Sequence, residues 1–123
     1  MATSTQLRQQ ILAGEQDAAL AALYGTDPAV LARQRQRYAA ALEQFELYFG
    51  PGRQVQLYSA PGRAELGGNH TDHQHGCVIA AAVDMTTTAE VTLNGTNVIR
   101  VDSEGYRPVE IDLSDLKIRE EEK

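Results

Sequence analysis

The 123 residues fit one domain, and 42% hydrophobic with 23% charged residues is the balance of a folded globular chain. With 11 basic residues against 17 acidic ones, the formal charge of −6 argues against binding a nucleic-acid backbone. No apolar run approaches the roughly 20 residues of a membrane span. The single cysteine, Cys77, excludes an internal disulfide, and Met1 to Gln6 lacks the basic and apolar regions of a signal peptide, so a cytoplasmic location is expected. In chain order, helical patterning comes first. Ser4 or Thr5 is placed to cap a helix running to about Leu23, with Leu7, Ile11, Leu20 and Leu23 as its apolar positions. Gly25-Thr26-Asp27-Pro28 then supplies a loop, an aspartate cap and a proline at the first helical position. In the second helix Leu31, Tyr38, Leu42, Phe45 and Phe49 recur on one face, and Gly50-Pro51-Gly52 ends it. Arg33, Arg35 and Arg37 are read as not sharing a helical face and are expected to be solvated.

From Gln54 the period changes to two. Val55 and Leu57 alternate with Gln54, Gln56 and Tyr58, a short half-buried strand that runs into Ser59-Ala60-Pro61-Gly62. Beyond a glycine-rich loop, Cys77 to Val83 has the apolar character of a buried strand, with Cys77 a packed thiol. Thr86 to Leu93 alternates and is β-branched. Asn94-Gly95 and then Val98 to Val101 predict a hairpin. Glu104-Gly105 marks a further turn before Val109 to Leu113, and Lys117 to Lys123 is a charged tail. The expected class is α+β, two N-terminal helices followed by a mainly antiparallel sheet, helical over residues 1–50 and mainly strand over 54–113.

The chemistry concentrates in Gly67-Gly68-Asn69-His70-Thr71-Asp72-His73-Gln74-His75-Gly76, which holds all three histidines. Three readings are open from the residues alone. The segment reads as a polar, turn-rich loop. It also reads as a metal site of His70, Asp72, His73 and His75, although this spacing matches no standard ligand pattern. The third reading is a sugar site. A sugar presents hydroxyls that both donate and accept, and Asn69, His70 and Asp72 bring an amide, an imidazole and a carboxylate to meet them. Arg63, on the preceding turn, adds a fixed charge suited to a phosphoryl group or a nucleophilic hydroxyl.

Ser59 to Gly76 resembles the galactokinase signature of the GHMP kinase superfamily, whose pattern is roughly A-P-G-R-V-N-L-I-G-E-H-T-D-Y-N-x-G followed by x-V-L-P-x-A-I-D. Val78, Ile79, Ala82, Val83 and Asp84 continue it in register, and the flanking helices and strands are similar to the start of galactokinases. The resemblance implies the N-terminal region of a GHMP-type fold and an enzyme that phosphorylates the anomeric hydroxyl of galactose with ATP and magnesium. It implies that Arg63 supports the transition state and that Asn69, His70 and Asp72 hold galactose or a related sugar, with no metal ligand among them. Asn69 stands where the family has a glutamate, His73 for a tyrosine, Glu65 for an asparagine, Gly67 for an isoleucine and Ala80 for a proline. The family's glycine- and serine-rich nucleotide loop, its catalytic aspartate and its third motif do not occur in these residues. The expectation is therefore an N-terminal sugar-binding region, inactive alone and incomplete relative to the family, with no cofactor of its own. The alternative is a noncatalytic sugar-binding or interaction module of the same fold. An incomplete lobe is further expected to expose part of the Leu31–Phe49 stripe or of the Cys77–Val83 strand, inviting self-association.

Overall fold

The computed structural model describes residues 2–68, 76–114 and 116. They form two compact units, Met1–Thr92 and Leu93–Lys123. The first unit holds α1 (Ser4–Leu12), α2 (Asp17–Tyr24), α3 (Pro28–Phe49), β1 (Gln56–Gly67) and β2 (Ile79–Val91). The second holds β3 (Val98–Val101) and β4 (Val109–Asp112). The class is α+β with antiparallel pairing, as expected, but there are three helices where the sequence pattern suggested two.

The helix expected over residues 4–23 is broken because its first segment closes in a Schellman turn. Gly14 sits at φ +80°, its N–H donates to the Ile11 carbonyl at 3.1 Å, and the Glu15 N–H donates to the Gln10 carbonyl at 2.9 Å. The cap is Thr3 rather than Ser4 or Thr5. Its hydroxyl accepts from the Gln6 N–H at 3.3 Å, while the Gln6 side chain accepts from the Thr3 N–H at 3.1 Å. The two residues after it are occupied elsewhere. Ser4, buried, and Thr5 donate to Glu46 Oε1 at 2.8 and 2.6 Å, and Ser4 also accepts from the Gly52 N–H at 3.2 Å. These bonds tie α1 to the end of α3 and hold the Glu46 carboxyl below its usual range.

α3 follows its sequence pattern. The Asp27 side chain accepts from the Ala29 and Val30 N–H groups at 2.8 and 3.3 Å, and Pro28 opens the helix. Tyr38, Leu42 and Phe45 bury against Ile11 of α1, Leu20 of α2 and Val55, with Leu31 and Phe49 partly buried at the margin. The three arginines are not simply solvated. Arg35 pairs with Asp17 of α2, and this guanidinium lowers the Asp17 carboxyl below its ordinary value. Arg33 and Arg37, four residues apart and so on one side of the helix, both reach β2. Arg33 meets Asp84 at 3.4 Å, and Arg37 donates to Thr86 through its hydroxyl, at 2.6 Å, and its carbonyl.

β1 runs well past the short strand expected. It pairs with β2 from Gln56 opposite Val91 to Gly67 opposite Ile79, with a register shift between Pro61 and Gly62 across which Asp84 and Met85 have no partner. Pro61 is tolerated because a strand of a two-stranded sheet always has one unpaired edge. Arg63 therefore lies within a strand, not on a turn. The Cys77–Val83 run is not buried: Cys77 is exposed and Ile79 is 67% exposed. The helical core covers the opposite end of the ribbon, at Val55 and Leu57. Of the two exposures expected from the sequence, the strand shows it and the α3 stripe does not.

The hairpin expected around Asn94-Gly95 does not form. β2 is paired along its length with β1, and β3 pairs instead with β4, Val98 opposite Asp112 and Val101 opposite Val109. Asn94 folds its own loop: its side-chain amide donates to the Val98 carbonyl at 2.7 Å and accepts from the Thr96 N–H at 3.0 Å. Among the described residues no helix is long and apolar enough to cross a membrane.

Candidate functional site

In its second half β1 exposes alternate residues, and Arg63 and Glu65 occupy two such positions. Arg63 is 61% exposed and donates from Nη2 to Glu65 Oε1 at 3.0 Å. Across the ladder stand Ala82, opposite Arg63, and Ala80, opposite Glu65. Directly paired residues share a face of the sheet, so two alanines neighbour the ion pair on that face.

The strand leaves this face through Gly68, whose conformation is demanding. Its φ is +100°, and a Cβ there would strike the Cys77 carbonyl oxygen and stand 2.7 Å from Val78 Cα. Glycine is needed both for the left-handed backbone and for the close approach of the two strand ends. The connection from β1 to β2 thus leaves and returns at neighbouring backbone positions. Asn69, His70 and Asp72 lie in that connection and outside the described residues, as do His73 and His75 of the metal reading. Among the described residues no three His, Cys, Asp or Glu side chains come together as a metal site.

Sequence reasoning gave no sign of a second feature, an open cleft of about 440 Å³ between α2 and the ribbon. Tyr24, Ser59, Pro61, Val83 and Thr86 are among its lining residues, and Arg63 is not. A hydroxyl chain runs along it. Tyr24 Oη lies 2.8 Å from Tyr38 Oη and 2.7 Å from Ser59 Oγ, which joins α2, α3 and β1. The only hint in the sequence was two tyrosines with hydroxyls to satisfy on otherwise apolar surfaces.

Burial, with the Tyr24 hydroxyl next to it, pushes the Tyr38 phenol up to about 12 from an ordinary value of 10.0. The unfolded chain loses that proton first, so the contribution of Tyr38 to stability is full below pH 10.0 and disappears as pH rises toward about 12. Alkaline titration by ultraviolet absorbance should show one of the five tyrosines ionising late, and Tyr38→Phe should remove that late step. A late step that survives the substitution would assign it to another tyrosine.

Set beside known proteins, residues 43–93 match the family model described as the galactokinase galactose-binding signature. The match covers less than half of the chain, from the last turns of α3 to just beyond β2, and includes Arg63, Asn69, His70 and Asp72. No curated protein and no solved structure matches the chain.

Proposed function

We propose that this chain, whose residues 43–93 match the galactokinase galactose-binding signature, supplies the sugar-holding part of a galactokinase-like kinase of the GHMP superfamily. The full enzyme transfers the γ-phosphoryl group of ATP to the anomeric hydroxyl of galactose. The match to a galactose-binding signature carries this reading, and it fits sugar binding directly. Asn69, His70 and Asp72 take the sugar hydroxyls with donors and acceptors of three kinds. Asn69, unlike a glutamate, both donates and accepts and brings no charge. Arg63 offers a permanently charged fork of donors, suited to a reacting hydroxyl and to charge developing on phosphoryl oxygens. The single cysteine suits a cytoplasmic enzyme.

The nucleotide does not fit these residues. Phosphoryl transfer rests on a cradle of backbone N–H groups around the phosphates, and the sequence contains no glycine-rich loop opening a helix. No step is assigned to ATP or magnesium in this chain. It is expected to bind galactose and not to phosphorylate it.

Calorimetric titration of the 123-residue chain with galactose tests the reading. Millimolar or tighter binding is expected without ATP, weakened by Arg63→Ala. An absence of binding removes the sugar site. Formation of galactose 1-phosphate from ATP by the chain alone overturns the assignment of the phosphate cradle elsewhere. Millimolar binding that Arg63→Ala leaves unchanged favours a noncatalytic sugar-binding module in which Arg63 has no part.

A further inference from the structure

We propose that the cleft between α2 and the ribbon is a subsite for a second hydroxylated ring, so that the substrate class of this chain is a disaccharide with galactose at its reducing end. The proposal rests on the reading of Arg63 as a sugar-site residue, because it takes the cleft as an extension of the face that carries Arg63.

Both strands put Arg63 and the cleft on one side of the ribbon. Pro61 lines the cleft and stands two residues before Arg63 on β1, and Ala82, directly opposite Arg63, lines it too. Residues two apart on a strand, and residues paired across a ladder, share a face. α3 lies on that same side, since Arg33 reaches Asp84 and Arg37 reaches Thr86, and both of these β2 residues line the cleft. From Pro61 to Arg63 is about 7 Å along the strand, the step from one ring of a disaccharide to the next. The volume of about 440 Å³ is that of a small-ligand cleft.

The lining has the two kinds of surface that a sugar ring needs. Leu23, Pro61 and Val83 offer apolar area to the C–H groups of the ring. Ser59 and Thr86 offer hydroxyls, joined through Tyr24 to the buried hydroxyl of Tyr38. Bonds among these hydroxyls use one donor for each acceptor, and every hydroxyl has twice as many acceptors as donors. Acceptors are therefore left for a ligand hydroxyl even with Arg37 donating to Thr86 at 2.6 Å. Asp84 adds carboxylate oxygens at the rim; its side chain is 68% exposed and its contact with Arg33 is 3.4 Å long. With galactose at the Arg63 face, the anomeric hydroxyl must stay free to react. The second ring is therefore joined through another hydroxyl, which makes galactose the reducing-end unit.

The experiment is a calorimetric titration of the 123-residue chain with galactose and with 4-O- and 6-O-β-galactosyl-galactose. Wild type, Ser59→Ala, Asp84→Ala and Arg63→Ala are compared, each checked for folding by far-UV circular dichroism. At least one disaccharide should bind wild type about five- to tenfold more tightly than galactose, the gain from one or two added hydrogen bonds. Ser59→Ala and Asp84→Ala should each cut that preference to about twofold or less, with galactose affinity unchanged. Ser59→Ala also takes a partner from Tyr24, so Asp84→Ala, at an exposed ion pair, keeps the test open if the first variant unfolds. Disaccharides that bind wild type no more tightly than galactose overturn the subsite and leave the galactose site standing. A preference that survives in the folded variants does the same. An equal loss for galactose and disaccharide also overturns it, because the two side chains would then act on the whole site. A preference carried by Ser59 and Asp84 that Arg63→Ala leaves unchanged upholds the cleft and overturns the reading of Arg63. Binding of none of the three sugars overturns both.

Discussion

Leu42→Ala is expected to destabilise the helical unit by about 2–5 kcal/mol, measured by urea unfolding followed by far-UV circular dichroism. Leu42 is 0% exposed, and its neighbours on the same face of α3, Tyr38 and Phe45, are buried with it. Ile11 of α1, Leu20 of α2 and Val55 at the entry to β1 belong to the same cluster. The void left by the missing carbons is bordered by several elements that are each held elsewhere, so it cannot close by a shift of one of them. α1 is tied by the Ser4 and Thr5 bonds to Glu46, α2 by the Asp17–Arg35 pair, and α3 by Arg37 on Thr86. A small domain has about 5–15 kcal/mol in total, so the variant should sit close to its unfolding threshold. Leu47, on the same helix but 73% exposed, is the control. Its change to alanine should stay within about 0.5 kcal/mol. A Leu42→Ala loss below about 1 kcal/mol would mean that the cluster repacks freely.

Gly68→Ala is expected to abolish or strongly weaken galactose binding while leaving the helical unit folded. A non-glycine residue held at φ +100° costs about 1–3 kcal/mol by itself. The added Cβ would also meet the Cys77 carbonyl and the Val78 Cα, backbone atoms that cannot rotate away as a side chain would. Relief requires the strand ends to separate where Gly67 faces Ile79, and this moves both anchors of the connection carrying Asn69, His70 and Asp72. A loss of galactose affinity of about tenfold or more is expected, equivalent to ~1.4 kcal/mol. Gly67→Ala is the matched control. A Cβ there meets nothing within 4 Å and the backbone is not left-handed, so binding should change by no more than about twofold. Equal losses in the two variants would show that any side chain at this end of β1 is harmful, and the strained backbone of Gly68 would lose its role.

Much of the helical unit was legible because its signals are local. Asp27 and Pro28 start α3 by bonds that span three residues, and the apolar stripe from Leu31 to Phe49 marks the face that is buried. The break at Gly14 was equally local and readable, as a glycine two residues beyond the end of α1, but the apolar positions on both sides concealed it. Arg33 and Arg37 carried a signal too, their separation of four, which places two cations side by side on one helical surface. The hairpin expected at Asn94-Gly95 shows the opposite case. The dipeptide does make a tight loop, yet the strand before it is taken by β1 and the strand after it by β4. A turn dipeptide specifies a bend and leaves the pairing partner open, because pairing is settled by strands distant in sequence.

The signature segment divides in the same way. Its residue types alone resemble the galactose-binding signature that residues 43–93 match, and they made Arg63, Asn69, His70 and Asp72 the candidates for a sugar site, since chemical identity at fixed spacing needs no coordinates. The overall balance of charge and the absence of a long apolar run are likewise properties of composition. That Arg63 stands on a strand, bonded to Glu65 and neighboured by two alanines, and that the Cys77–Val83 run lies open instead of buried, depends on the long antiparallel ribbon formed by β1 and β2. An apolar run is buried only where another element covers it, and two charges interact only where the backbone aims them at one side. The first is a relation between segments far apart in the chain, the second follows from the strand that a distant partner completes, and both exist only once the chain has folded.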